Sequence, residues 1–210
     1  RQRQMCIRDR SKMAANPNIR LILEDRGVKG EHRVRDLHPI GVRENGKVAP
    51  VLEGTKYPTK VVTKESGHQI VCDPTLAYYS TRLQTERITT AVEARKLSET
   101  IGTGINVADP FCGVGPALAH LVNTHGLVSS ILASDLNPEA IKLLNENLSK
   151  WIGMPSDPEI TGIREWKKGV WSGVANAYEL LELGIPIGFW NLLIINCLLY
   201  TSDAADDSLR

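Results

Sequence analysis

Apolar and polar positions change period once along the 210 residues. Between residues 19 and 72 the apolar residues fall in short extended runs broken by turn formers. Residues 33–42 and 61–72 are rich in β-formers, and Glu44-Asn45-Gly46 and Glu65-Ser66-Gly67 supply turns. A small β-containing domain is expected there. Residues 85–100 instead place Ile88, Ala91, Val92 and Leu97 at helical spacing. From Ile105 onward strand and helix alternate. A strand is expected at 105–109, a tight loop at 113–115, and a helix at 116–125 with proline in its first turn. The next strand is expected at 131–136 and the next helix at 138–151, with Ile141, Leu144 and Leu148 on one face. A third unit follows, with a strand near Val170, a helix at 176–183 and a strand at 191–196. Such alternation predicts an α/β fold with a parallel sheet and right-handed crossovers.

Composition narrows the class without naming a function. At 42% hydrophobic and 23% charged residues the chain is an ordinary globular one. Its longest apolar stretch, 185–200, is interrupted by Pro186, Gly188, Asn191 and Asn196, so no membrane span is expected. Cys6, Cys72, Cys112 and Cys197 stand too far apart for a CxxC pair, which argues against a zinc ribbon or a disulfide scaffold. The five histidines show no metal-ligand spacing, so no metal is expected. A reduced, cytoplasmic setting fits these features. Charge is uneven: residues 1–68 hold 15 basic and 8 acidic groups, whereas 69–210 hold 10 and 16. A basic first third suggests a polyanionic partner on that side.

Both ends read as foreign. Residues 1–10 (RQRQMCIRDR) and 197–210 (CLLYTSDAADDSLR) resemble translated sequencing-adapter read-through and are set aside as non-native. The expected organisation is then a β domain over 11–76 and an α/β domain over 77–196, whose parallel sheet is incomplete.

The chemistry concentrates at Val107-Ala-Asp-Pro-Phe-Cys-Gly-Val-Gly-Pro116: a strand, an acid, a glycine turn and a helix. Gly113 and Gly115 let a ligand approach the backbone at the carboxyl end of the first strand. The full GxGxxG of a dinucleotide site is absent, and Asp109 before the loop suits a cationic ligand end better than a pyrophosphate. Asp135 ends the next strand, within Ala133-Ser-Asp-Leu-Asn-Pro138, where a carboxylate can accept both ribose hydroxyls. S-adenosylmethionine has a cationic amino-acid end and a free ribose, and it is the expected cofactor.

A second motif, Tyr78-Tyr-Ser-Thr-Arg-Leu-Gln-Thr-Glu-Arg87, precedes the cofactor strand. On a helix Arg82 and Glu86 lie four apart, and a surface ion pair is one account of them. Taken with DPFCGVGP and the DLNP of Asp135–Pro138, this run resembles the archaeal and eukaryotic tRNA (guanine-37 N1)-methyltransferase family. Lys29-Gly-Glu-His-Arg-Val-Arg35 and Thr63-Lys-Glu-Ser-Gly67 are similar to that family's small β domain, so the likeness covers about residues 16–196.

The resemblance implies a Rossmann-like class I methyltransferase domain that moves a methyl group to N1 of guanosine 37 in the tRNA anticodon loop. It places Glu86 as general base and Arg35 or Arg33 against charge developing on O6. Tyr78 and Arg82 fall in the guanine pocket. Arg87, Phe111, Asp135, Leu136 and Asn137 fall, with Asp109, Gly113 and Gly115, at cofactor-contacting positions. Two positions depart from the family. Asn176 stands where an acid reads the adenine amino group, and helix capping is an equal account of it. Asn196 is followed by Cys197-Leu198 in place of Leu-Pro, so the far wall of the transfer site is expected to be missing and activity low. A relative that transfers an aminocarboxypropyl group in wybutosine synthesis is the alternative, with a noncatalytic tRNA-binding fragment as a further one. A monomer is expected.

Overall fold

The computed structural model describes residues 11–155, 162–182, 184 and 188–195. The chain divides into two compact units, one comprising the residues up to Val61 plus Asp73–Tyr78, the other Val62–Cys72 plus everything from Tyr79.

In the first unit β1 (Leu21–Lys29), β2 (Val34–Glu44) and β3 (Lys47–Ala49) form an antiparallel sheet in that order. The β2–β3 turn uses Asn45 and Gly46, both at positive φ, as a two-residue hairpin on right-twisted strands requires. Met13, from a helical stretch at 11–15, is buried with Val42. Arg43 ties this end together by donating to the carbonyls of Met13, Asn16, Ile19 and Gly46.

The second unit is built on a five-stranded sheet in the order β10 (Leu192–Leu193), β6 (Ile105–Asp109), β7 (Val128–Asp135), β9 (Val170–Val174), β8 (Arg164–Lys167). The first four run parallel and β8 is antiparallel to β9. Helices α1 (Gln84–Ile101), α2 (Pro116–Val122) and α3 (Pro138–Ile152) accompany it. Ile105, Val107, Ile131, Ala133 and Val170 of the sheet form one core with Leu118, Leu121, Ile141, Leu144 and Leu148. Consecutive parallel strands joined through helices make this a Rossmann-like α/β arrangement. No helix among the described residues is long and apolar enough to cross a membrane.

Four expectations need correction. The hairpin of β4 (Val61–Glu65) and β5 (His68–Cys72), turning through Ser66 and Gly67 at positive φ, belongs to the second unit from Val62 on, not to the first domain. Polar bonds fix it there: Asn147 bonds the backbone of Val71, and Trp151 Nε1 donates to the Gln69 carbonyl at 2.8 Å. The helix expected at 116–125 ends at Val122, where Asn123 turns its amide onto the Ala119 carbonyl and Gly126 takes positive φ. Of the helix expected at 176–183, the described residues form a 3₁₀ turn, Glu179–Leu181, and residue 183 lies outside them. Asn176 Oδ1 takes the Tyr178 amide, and Gly184 follows soon after at positive φ. Finally, of the apolar stripe expected on α1, Ala91 is buried and Leu97 packs half-buried against the core, but Ile88 and Val92 are exposed and Arg87 and Ala94 are buried in their place.

Candidate cofactor site and its neighbourhood

The loop after β6 is held from three sides. Asp109, 2% exposed, accepts the Phe111 amide at 3.3 Å. Asp135 at the end of β7 accepts the Gly113 amide through Oδ2 and the Asn137 amide through Oδ1, both at 2.9 Å. Asn137 caps α3 through its side-chain oxygen, which takes the amides of Glu139 and Ala140. At Gly115, φ is +80° and a Cβ would sit 2.5 Å from Leu144 Cδ1, so both backbone and space call for glycine.

Electrostatics mark Asp109. Burial, with Asp135 nearby, pushes its carboxyl up to about 7 although the Phe111 amide opposes the shift. An approaching cation would favour the ionised form. Each Asp135 oxygen can accept more than one hydrogen bond, so the amides it already holds leave capacity for a ligand hydroxyl. Leu136 is 53% exposed beside it, and Phe111 is half-buried. Burial and the two aspartates raise the Cys112 thiol well above its ordinary range, which leaves a small packing group. At the end of β9, a Cβ on Gly173 would clash with the Gly162 carbonyl, and half-buried Asn176 caps the following turn. That arrangement is the capping account of Asn176.

Arg87 is not turned to this loop as the resemblance implied. It is 5% exposed and forms a bidentate pair with Glu65, both bonds 2.6 Å, and donates to the Ser80 carbonyl at 2.8 Å. Glu65 is 1% exposed and also meets Tyr79 Oη at 2.8 Å and His120 Nε2 at 2.9 Å. Burial acts to raise the Glu65 carboxyl, but the bonds from Arg87, His120 and Tyr79 outweigh it and hold it below the usual range. The same environment pushes Tyr79 up to about 12, through burial first and then Glu65. Desolvation, with His120 next to it, lowers His68.

Glu86 opens α1 and is exposed; among the described residues its carboxylate makes no hydrogen bond or ion pair, so it is not a surface partner of Arg82. Arg82 is exposed in the 3₁₀ turn Thr81–Leu83, whose start is capped by Ser80. In the first unit Arg35 on β2 pairs with Asp25 at 3.1 Å and lies 6.0 Å from the Tyr78 ring, whereas Arg33 occupies an exposed turn at positive φ. Asn196 lies outside the described residues.

Glu65, His120 and Asn147 were not singled out from the sequence. Glu65 read as a turn residue, and no local signal distinguishes it. Asn147 had one signal, a polar residue beside the apolar stripe of α3 at three positions from Leu144.

Residues 61–150 match the family model described as the TRM5/TYW2 methyltransferase domain. A tRNA (guanine(37)-N(1))-methyltransferase 2 of Phaeodactylum tricornutum is 36% identical over 89 residues, 42% of this chain and 14% of that protein. Trm5b of Methanocaldococcus jannaschii is 31% identical over 121 residues, 58% of this chain and 29% of the relative. Among solved structures, Trm5b from Pyrococcus abyssi superposes with a TM-score of 0.58 at 22% identity, covering 95% of this chain and 48% of that one. The complex of aTrm5 and tRNALeu gives 0.60 at 22% identity, covering 98% and 49%. The chain thus spans less than a third of the curated relatives it matches and about half of the solved ones. These likenesses show the α/β fold with a parallel sheet that the strand–helix alternation predicts.

Proposed function

We propose, from the match of residues 61–150 to the TRM5/TYW2 methyltransferase domain, that this protein transfers a methyl group from S-adenosylmethionine to N1 of guanosine 37 in tRNA. The observation that carries the reading is the pairing of a buried acid with an amide-lined glycine loop: Asp109 beneath, Asp135 holding Gly113 and Asn137 in place. That donor set fits the cofactor, with Asp109 for its ammonium group, Asp135 for ribose hydroxyls, and Leu136 and Phe111 for apolar contact. Asn137 serves the site through its cap, and Asn176 offers its remaining acceptor capacity to the adenine amino group. The cofactor supplies an electrophilic methyl whose bonding pair returns to sulfur.

Glu86 takes the N1 proton as N1 bonds the methyl carbon. An exposed carboxylate without an internal partner can accept a proton with no bond to break first. The resemblance gives Tyr78 and Arg82 to recognition of the guanine and Arg35 to the charge developing on O6. Arg35 is preferred to Arg33 because its guanidinium lies over Tyr78. Arg87 keeps a structural role. A cytoplasmic location and an accessible, single-stranded target loop go with this reading.

The test is incubation with S-adenosylmethionine and a tRNA transcript carrying guanosine 37, followed by nucleoside mass analysis. Formation of 1-methylguanosine that is lost when position 37 is adenosine is expected. An added aminocarboxypropyl mass would assign the chain to the other activity, and failure to bind S-adenosylhomocysteine in calorimetry would remove the cofactor assignment.

A further inference from the structure

We infer that Asn147 is a positioning residue for the glycine loop, whose backbone it holds in register with the β4–β5 hairpin. Its side chain is fully buried on α3. Oδ1 accepts the Val71 amide at 2.8 Å, and Nδ2 donates to the Val71 carbonyl at 3.0 Å and to the Val114 carbonyl at 2.9 Å. Val114 stands between Gly113 and Gly115 and is itself fully buried. One amide therefore completes a strand-like pair with β5 and anchors the centre of the loop proposed to bind cofactor.

Several observations converge on this role. A buried amide is costly in an apolar core unless its hydrogen bonds are met, and here three bonds are made by one side chain. The loop it holds has little intrinsic stiffness, because Gly113 and Gly115 both sit at positive φ where only glycine is comfortable. Its other tethers, Gly113 to Asp135 and Cys112 to the Ser134 carbonyl, hold the loop toward β7. Asn147 alone among these reaches the loop from α3 and the hairpin together. The hairpin is in turn anchored by Trp151, one turn further along α3, and by Glu65 on Arg87, next to Glu86. Asn147 thereby joins the loop to the same framework that carries the proposed base. A binding site gains affinity when its backbone is already arranged before the ligand arrives.

The functional consequence rests on the cofactor reading above, so the test has an arm that does not need ligand. Hydrogen exchange of the 210-residue chain without ligand would be followed for residues 112–119 in native protein, Asn147→Leu, Asn147→Asp and the milder Asn147→Ser. Leu148→Ala serves as a control, because it opens the same helix's buried face while removing no hydrogen bond to the loop. Exchange in 112–119 is expected to rise roughly tenfold or more in the Asn147 variants over Leu148→Ala at matched thermal stability. Calorimetry with S-adenosylhomocysteine is expected to show roughly tenfold weaker binding in the same variants, and near-native binding per folded molecule in the control. If Leu and Asp variants do not fold, Asn147→Ser decides. Loop exchange and affinity that follow overall stability alike in Asn147 and Leu148 variants would overturn the assignment. If the native chain binds no S-adenosylhomocysteine, the cofactor reading fails while exchange still judges Asn147.

Discussion

Asp109 and Glu86 are acids with opposite environments and so with opposite expected behaviour. Burial pushes the Asp109 carboxyl up to about 7 in the fold from an ordinary value of 3.8. An acid whose folded value is raised weakens the fold progressively as pH climbs from about 4 to about 7, because the unfolded chain loses its proton first. Asp109→Asn keeps an oxygen for the Phe111 amide and removes the ionisation. It should stabilise the ligand-free protein more at pH 8 than at pH 5, by on the order of 3 kcal/mol at most, while weakening cofactor binding. Thermal unfolding at the two pH values checks the first part; an equal gain at both would mean that Asp109 is already ionised in the fold at pH 5, with its carboxyl not raised. Glu86 lies outside the glycine loop, so Glu86→Gln should keep S-adenosylhomocysteine affinity. Methyl transfer should fall about 10²- to 10⁴-fold, the usual contribution of a general base. Unchanged single-turnover rates would remove Glu86 from the reaction.

At the scale of elements, the β4–β5 hairpin has more consequence than its length suggests. Glu65 neutralises Arg87 where both are nearly inaccessible to water, with side-chain exposures of 2% and 5%. Glu65→Ala would strand the guanidinium and should destabilise the second unit by about 3–5 kcal/mol, read as a fall in denaturant midpoint. Because the folded carboxyl lies below its usual value, its contribution is present above about pH 4.5 and disappears as pH falls through the folded value. Glu65→Gln should therefore flatten the acid limb of the stability profile; an unchanged limb would place acid sensitivity elsewhere. The same pair explains why the inward face of α1 departs in part from the apolar spacing. Ile88 and Val92 match a helical stripe, but the inward face is set by Arg87, Ala91 and Ala94, at spacings of four and three. A buried charged residue is invisible to hydrophobic periodicity because its partner lies 22 residues away on another element.

For the whole molecule, charge is the property that bears on the proposed tRNA partner. Residues 11–68 carry 11 basic and 7 acidic groups. Some of the excess is committed internally, as in Arg26–Glu24, Lys29–Asp36 and Arg35–Asp25. Binding to tRNA should still weaken with salt, with log K falling against log salt at a slope of about −3 for roughly four phosphate contacts. Filter binding between low and moderate salt measures it; a flat line would take phosphate contacts out of the reading.

The amino-acid pattern alone, which does not show β8 or the shortness of the Glu179–Leu181 turn, makes legible the succession β6, α2, β7, α3, the two-residue turns after β2 and β4, the glycine loop, and the acids Asp109 and Asp135. Each of these is local: a period, a turn former, or an acid at a strand end acts on its immediate neighbours. It takes the packed fold to show that the 62–72 hairpin joins the second unit, that Arg87 pairs with Glu65, and that Asn147 ties Val71 to Val114. Those bonds link residues from 22 to 76 positions apart. Such pairings depend on which buried polar groups meet once the apolar faces have packed, and no spacing along the chain encodes that meeting.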